Sequence, residues 1–151
     1  MATHLQAGQK APAFSGKDQD GNKVSLADFK GQKVVLYFYP QDDTPGCTAQ
    51  ACNLRDNYSA LIKGGYKVIG VSPDDAASHE KFTEKYSLPF PLLADPEHKI
   101  IDKYGVWGEK NLYGRKFMGL LRTTFVIDEN GTIEKIFLRP KTKEHAEEIM
   151  K

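Results

Sequence analysis

Cysteine is scarce in this 151-residue chain, which has two, Cys47 and Cys52. That excludes a disulfide-stapled secreted scaffold and a cysteine-rich metal module. Excess charge of either sign is also lacking, since 21 Lys and Arg offset 20 Asp and Glu for a net charge of +1. A nucleic-acid groove or a membrane-surface patch therefore has no electrostatic support. No apolar run approaches the ~18 residues of a membrane span. Met1–Gln6 has neither a signal-peptide core nor an arginine-rich transit pattern. Internal repeats and low-complexity tracts are missing. The histidines His4, His79, His98 and His145 are scattered without metal-ligand spacing, and His79 and His98 read as helix-surface residues. What remains is one domain over 1–151 with ordinary apolar content and a proper core. It is expected in a reducing compartment, the cytoplasm, where thiols are reactive or inert more often than bridged.

What is present gathers around the two cysteines. Val34-Val35-Leu36-Tyr37-Phe38-Tyr39 is the most apolar run and reads as a fully buried strand. It leads through Pro40-Gln41-Asp42-Asp43 to a helix predicted over 45–63. There Ala51, Leu54, Tyr58, Leu61 and Ile62 recur at helical spacing, and Gly64-Gly65 forms the stop. Thr44 reads as the N-cap, its hydroxyl accepting from a first-turn amide. Pro45 fits the first helical position, where its missing N–H costs nothing. The amides of Gly46 and Cys47 then lack intrahelical partners, so an anion there meets donors and the positive end of the helix dipole. A cysteine at that place is favoured as thiolate.

Magnitudes show what else is needed. A free thiol of pKa ~8.5 is about 3% ionised at pH 7, and bringing it near 6 takes roughly 3.4 kcal/mol. A helix end supplies about 0.3–1 kcal/mol, and ~2 at most. If Cys47 is a nucleophile, a cation must sit beside it. The second cysteine raises a geometric question. On an intact helix, positions 47 and 52 lie about 140° apart around the axis, with Cα atoms about 8–9 Å apart. A disulfide usually needs less than ~7 Å. Either no bridge forms, or the helix melts when one does.

The rest of the chain reads as α/β. Residues 8–24 form a hairpin around Asp18-Gln19-Asp20-Gly21-Asn22, followed by a capped turn at Ser25-Leu26-Ala27-Asp28. Lys67–Val71 is a second buried strand. Ser72-Pro73-Asp74-Asp75 opens a helix bearing Phe82 and Tyr86, with Ser72 as its N-cap. Residues 88–93 are a short extended piece, and a short helix follows Asp95-Pro96 and stops at Gly105. Residues 106–121 read as a long irregular segment of the kind that is often functional. Two strands, 123–127 and 132–138, flank Asp128-Glu129-Asn130-Gly131. A last helix is predicted over 143–150, capped by Thr142. The order β-β-α-β-α-β-α-β-β-α implies a mixed central sheet flanked by helices, with an N-terminal hairpin, a thioredoxin-like architecture. Strand 123–127 would then run antiparallel beside 34–39. Arg122, just before it, would arrive at the edge that holds Cys47, and is the candidate cation. Arg55, Arg115 and Arg139 are placed less well.

Assembled in this way, the chain resembles the peroxiredoxins, specifically the bacterioferritin-comigratory or peroxiredoxin Q group. The family signature Pro-x-x-x-Thr-x-x-Cys stands as Pro40, Thr44 and Cys47, within an unchanged Thr-Pro-Gly-Cys-Thr core over 44–48. Cys52, Arg122 before its Thr-Phe-Val-Ile-Asp strand, Asp18-Gln19-Asp20-Gly21 and Gly105-Val106-Trp107-Gly108 also match. The resemblance covers essentially the whole chain. It implies a peroxidase in which Cys47 attacks a peroxide oxygen and becomes a sulfenic acid. The amides of Gly46 and Cys47, the Thr44 hydroxyl and Arg122 would stabilise the leaving oxygen, and Pro40 would shape the pocket. Gln50 would either orient Arg122 or sit solvated on the helix. Cys52 is implied as the resolving thiol. The 47–52 disulfide would then require local unfolding of about residues 45–53 and recycling by thioredoxin or a similar dithiol protein. Hydrogen peroxide and alkyl hydroperoxides are the implied substrates. No flavin, haem or metal is implied. A monomer is expected, with a dimer as the alternative.

Three rivals frame that expectation. A thioredoxin-type oxidoreductase wants Cys-x-x-Cys and a cis-proline where Thr123 stands. A peroxide sensor would share the Cys47 chemistry. Inert buried thiols are the plain reading of a cysteine pair, weak for Cys47 and stronger for Cys52.

Overall fold

The computed structural model describes residues 2–151. Its centre is strand β3 (Lys33–Phe38), whose side chains alternate between two cores. Val34, Leu36 and Phe38 point into one, with Ile69, Ile101, Tyr104 and Phe125. Val35, Tyr37 and Tyr39 point into the other, with Cys47, Ala51, Leu54, Leu61 and Phe82. A strand buried on both faces has no polar side to show, which is why its sequence is an unbroken apolar run.

The cysteine-bearing helix is two helices. α1 (Pro45–Asp56) ends at Asn57, which leaves the helical region at φ −107°, ψ 11°, and α2 (Tyr58–Lys63) resumes the turn. The Asn57 amide group donates to the Asn53 carbonyl at 2.9 Å, so the side chain competes with the backbone ladder there. Strand β4 (Tyr66–Ser72) returns parallel to β3. The next helix, α3 (Ala76–Tyr86), begins later than its sequence suggests. Asp75 caps it by accepting from Ser78 N–H at 2.8 Å, while Ser72 is the last residue of β4.

Strand β5 (Leu92–Ala94) and helix α4 (Lys99–Tyr104) follow. The Asp95 carboxylate accepts from the amides of Lys99, Ile100 and Ile101 at the start of α4. The segment expected to be irregular is a β-hairpin, β6 (Trp107–Leu112) and β7 (Arg115–Leu120). Its turn is Tyr113-Gly114, both at positive φ, 52° and 80°. A glycine accepts such a turn freely, but a tyrosine seldom does, so the dipeptide gives little turn signal. Strands β8 (Thr123–Ile127) and β9 (Ile133–Phe137) complete a five-stranded sheet in the order β5-β4-β3-β8-β9. β8 is antiparallel to both of its neighbours. The last helix, α5 (His145–Met150), starts two residues after its expected place. The N-terminal strands β1 (Ser15–Lys17) and β2 (Lys23–Ser25) form a small separate hairpin. This is the mixed, helix-flanked thioredoxin-like sheet that the element order implied.

Candidate active site

Two registers bring the site together. β3 carries the chain to Pro40, and α1 starts five residues later. β8 pairs antiparallel with β3, so Thr123 stands opposite Phe38 and Arg122 emerges at the same edge. The Arg122 guanidinium donates through Nη2 to Cys47 Sγ at 3.3 Å and through Nη1 to Gln50 Oε1 at 2.5 Å. One fork thus spans the sulfur and a side chain one turn further along α1, a geometry that a lysine could not copy. Cys47 is 1% exposed and Gln50 is fully buried. Gln50 is therefore not the solvated helix glutamine of the plainer sequence reading. Its Oε1 is spent on Arg122, while its Nε2 is buried without a partner among the described residues.

Gly46 explains how the arginine gets so close. A Cβ there would stand 3.2 Å from Arg122 Nη2. The first helical bond runs from Thr48 N–H to the Thr44 carbonyl at 2.8 Å, so the amides of Gly46 and Cys47 precede the ladder. Thr44 has the extended backbone of an N-cap, but its hydroxyl donates to the Gln41 carbonyl at 3.1 Å and accepts nothing from the first turn. The side-chain cap expected of Thr44 is therefore absent. Pro40 is half-buried at the end of the β3 run. Cys52, on the same helix as Cys47, is half-buried, and both thiols are free.

The other arginines are elsewhere. Arg55 donates to the Tyr86 carbonyl at 2.7 Å and pairs with Asp56, while Arg115 and Arg139 are exposed. Lys110 on β6 is a neighbour the sequence did not single out. Burial holds its ammonium below the ordinary lysine range, the Arg122 charge pushes the same way, and the Cys47 sulfur opposes them. Beneath α1 lies the Tyr37 hydroxyl, buried and without a partner; burial above all pushes this phenol far above its ordinary range.

A polar knot next to the cysteine loop was also missed. Asp42 accepts from Tyr39 Oη at 2.6 Å and Ser78 Oγ at 2.7 Å, and lies 2.7 Å from His79 Nδ1. His79 is buried, with Nε2 donating to the Leu93 carbonyl at 2.9 Å. It was expected on a helix surface, yet it lies three residues before buried Phe82, a spacing that marks the inner face. Asp42, Asp74 and His79 place ligand-type atoms within 4.8 Å of one another. The Asp74 Oδ2 atom already accepts from the Asp42 amide and the Ser72 hydroxyl. These bonds tie the cysteine loop to α3 as a structural network. His98 is half-buried at the N-cap of α4, its ring centroid 4.3 Å from that of exposed Trp107. No helix is long and apolar enough to cross a membrane among the described residues.

Comparison with known proteins completes the site. The AhpC/TSA family model matches residues 7–136. The putative peroxiredoxin bcp of Coxiella burnetii is 47% identical over 146 residues, 97% of this chain and 97% of that protein. Peroxiredoxin Bcp of Bacillus subtilis is 44% identical over 146 residues, 97% and 93% of the two chains. Among solved structures, Xanthomonas campestris bacterioferritin comigratory protein, studied for alkyl peroxide reduction, superposes with a TM-score of 0.87 at 30% identity, covering 96% of this chain and 95% of that one. A peroxiredoxin Q mutant from Xylella fastidiosa gives 0.91 at 28% identity, over 97% and 94%.

Proposed function

The chain belongs to the AhpC/TSA family, as a peroxiredoxin of the Bcp type, and from that premise we propose how its residues carry out thiol-dependent peroxide reduction. The Cys47 thiolate attacks one oxygen of hydrogen peroxide or an alkyl hydroperoxide. The S–O bond forms as the O–O bond breaks, and the departing oxygen takes a proton to leave as water or alcohol. Cys47 is then a sulfenic acid. Arg122 is the main electrostatic partner, and its 3.3 Å approach to Sγ is the observation that carries this reading. Two unit charges about 4 Å apart attract by about 4 kcal/mol at an effective dielectric near 20. Desolvation of buried Cys47 and half-buried Arg122 offsets part of that attraction. The amides of Gly46 and Cys47 complete a donor set for the leaving oxygen, which the Thr44 hydroxyl joins by turning its proton from the Gln41 carbonyl to the peroxide. Pro40 closes the strand side of the pocket.

Cys52 resolves the sulfenic acid in this reading. Its sulfur attacks Cys47 Sγ, the S–S bond forms, the S–O bond breaks and the oxygen leaves as water. Both cysteines lie on one continuous helix, α1, so the step requires its first turns, up to about Asn53, to unwind. A dithiol protein of the thioredoxin kind then reduces the 47–52 disulfide by exchange, in the cytoplasm. Both thiols come from one chain, so a monomer suffices, though a dimer could work equally.

Thioredoxin-coupled peroxide consumption tests the scheme in three proteins. Wild type turns over, and Cys47→Ser is inactive. Cys52→Ser makes one equivalent of sulfenic acid and stops. Full steady-state turnover by Cys52→Ser would assign resolution to a thiol from elsewhere and overturn the scheme.

A further inference from the structure

We propose that Asn53 is a positioning residue for the disulfide step, pinning Cys52 in place while Cys47 travels to it. The inference rests on the 47–52 disulfide proposed above. Side-chain hydrogen bonds divide the cysteine region into a loose stretch between two anchors. The upstream anchor is α3. It holds Asp42 through Ser78 and His79, and it holds Asp43 through Lys85 Nζ at 2.8 Å and Tyr86 Oη at 2.9 Å. The downstream anchor is α5 and the residues before it. Asn53 Nδ2 donates to the Lys143 carbonyl at 3.0 Å and to Glu147 Oε1 at 3.1 Å, and Asn53 Oδ1 accepts from Ala146 N–H at 2.7 Å. Asn57 adds a second bond to Glu147 Oε1 at 3.1 Å.

Between the anchors the helix is lightly held. Beyond a bond from Thr48 to the neighbouring loop residue Asp43, side-chain hydrogen bonds from 45–52 reach Arg122 alone among the described residues, through Cys47 and Gln50. The buried residues of this stretch are Cys47, Gln50 and Ala51, and none is a large apolar side chain; Leu54, fully buried, lies just past Asn53. The orphaned Gln50 Nε2 gains solvent partners when the stretch opens. Unwinding is therefore cheapest upstream of position 53 and is stopped there. Cys52 is next to the stop, so it stays near its folded position. A fixed attacking thiol shortens the search that the mobile sulfenic acid must make.

The test combines rapid-quench kinetics with hydrogen exchange, using full-length protein and one equivalent of hydrogen peroxide. In wild type, the oxidised form loses amide protection over 48–56, whose N–H groups donate to carbonyls up to residue 52, and keeps it over 57–63. Asn53→Ala forms sulfenic acid at a rate within about twofold of wild type. Its disulfide forms at least about fivefold more slowly, and loss of protection spreads into 57–63. Glu147→Ala, an exposed change on α5, produces the same pattern more weakly and keeps Asn53 itself. An unchanged rate of disulfide formation in both variants, or loss of protection through residue 63 in wild type, overturns the inference. If wild type makes no 47–52 disulfide, the functional reading falls with it. A normal wild-type disulfide with insensitive variants overturns the role of Asn53 alone.

Discussion

Gly46 has no side chain, and Arg122 occupies the space one would fill. A methyl group there would crowd Nη2 at 3.2 Å. The guanidinium can move only by loosening its bonds to Gln50 or Cys47. Gly46→Ala should therefore lower activity with little change in stability. The gain of up to about 1 kcal/mol from removing a helical glycine is offset by the loosened Arg122 bonds, while the rate of Cys47 oxidation falls about tenfold. Denaturant unfolding and stopped-flow peroxide kinetics on the same preparation check both halves. A variant that is both stabilised and fully active would show that Arg122 need not sit where it does. At this scale the sequence was uneven. Thr44, Cys47 and Arg122 were legible because a helix start and a strand register have strong signals. The burial of Gln50 was not, because a glutamine one turn past the cysteine is polar whether it faces water or an arginine. The Thr44 hydroxyl was misread because donating to Gln41 and capping the helix are local alternatives of similar energy.

Elements explain the remaining departures. One apolar stripe spans 51–62, so the break at Asn57 leaves no mark in the periodicity. The β6–β7 hairpin is mostly exposed and lacks a clean alternation, so it reads as a loop until its pairing is seen. α5 does more than close the sheet. His145 is buried in it, with Nδ1 2.9 Å from Glu148 Oε1 and Nε2 2.8 Å from Thr124 Oγ1. A carboxylate on Nδ1 and a hydroxyl on Nε2 suit the neutral ring with its proton on Nδ1. Burial lowers the His145 pKa from its ordinary value, the Arg122 charge pushes the same way, and Glu148 and Glu147 oppose them. A histidine of lowered pKa binds fewer protons in the folded chain than in the unfolded one. Its contribution to stability is whole above about pH 6.5 and declines as pH falls below that toward the lower folded value. His145→Gln should thus be less stable than wild type at pH 8, with the gap narrowing by pH 5. Urea midpoints at the two pH values test this, and a constant gap would contradict it.

The whole molecule is an arrangement for bringing a distant charge to one sulfur. Cys47 and Arg122 are 75 positions apart in the chain, and only the antiparallel pairing of β8 on β3 brings them together. That pairing was readable from the element order, because a late hairpin placed after helical crossovers has few places to go. The knot of Asp42, Ser78 and His79 was not readable, because it depends on how α3 packs and no local pattern encodes that contact. The central claim is that the Arg122 guanidinium drives the attack of Cys47 on peroxide. Its most direct test is the second-order rate constant for sulfenic acid formation at Cys47 in wild type, Arg122→Ala and Arg122→Lys, with folding checked by circular dichroism. Loss of a preorganised donor of this kind costs about 10²–10³ in rate. The account predicts that fall for Arg122→Ala, with partial recovery in Arg122→Lys, which restores the charge without the fork. A folded Arg122→Ala protein that reacts within about twofold of wild type would contradict it.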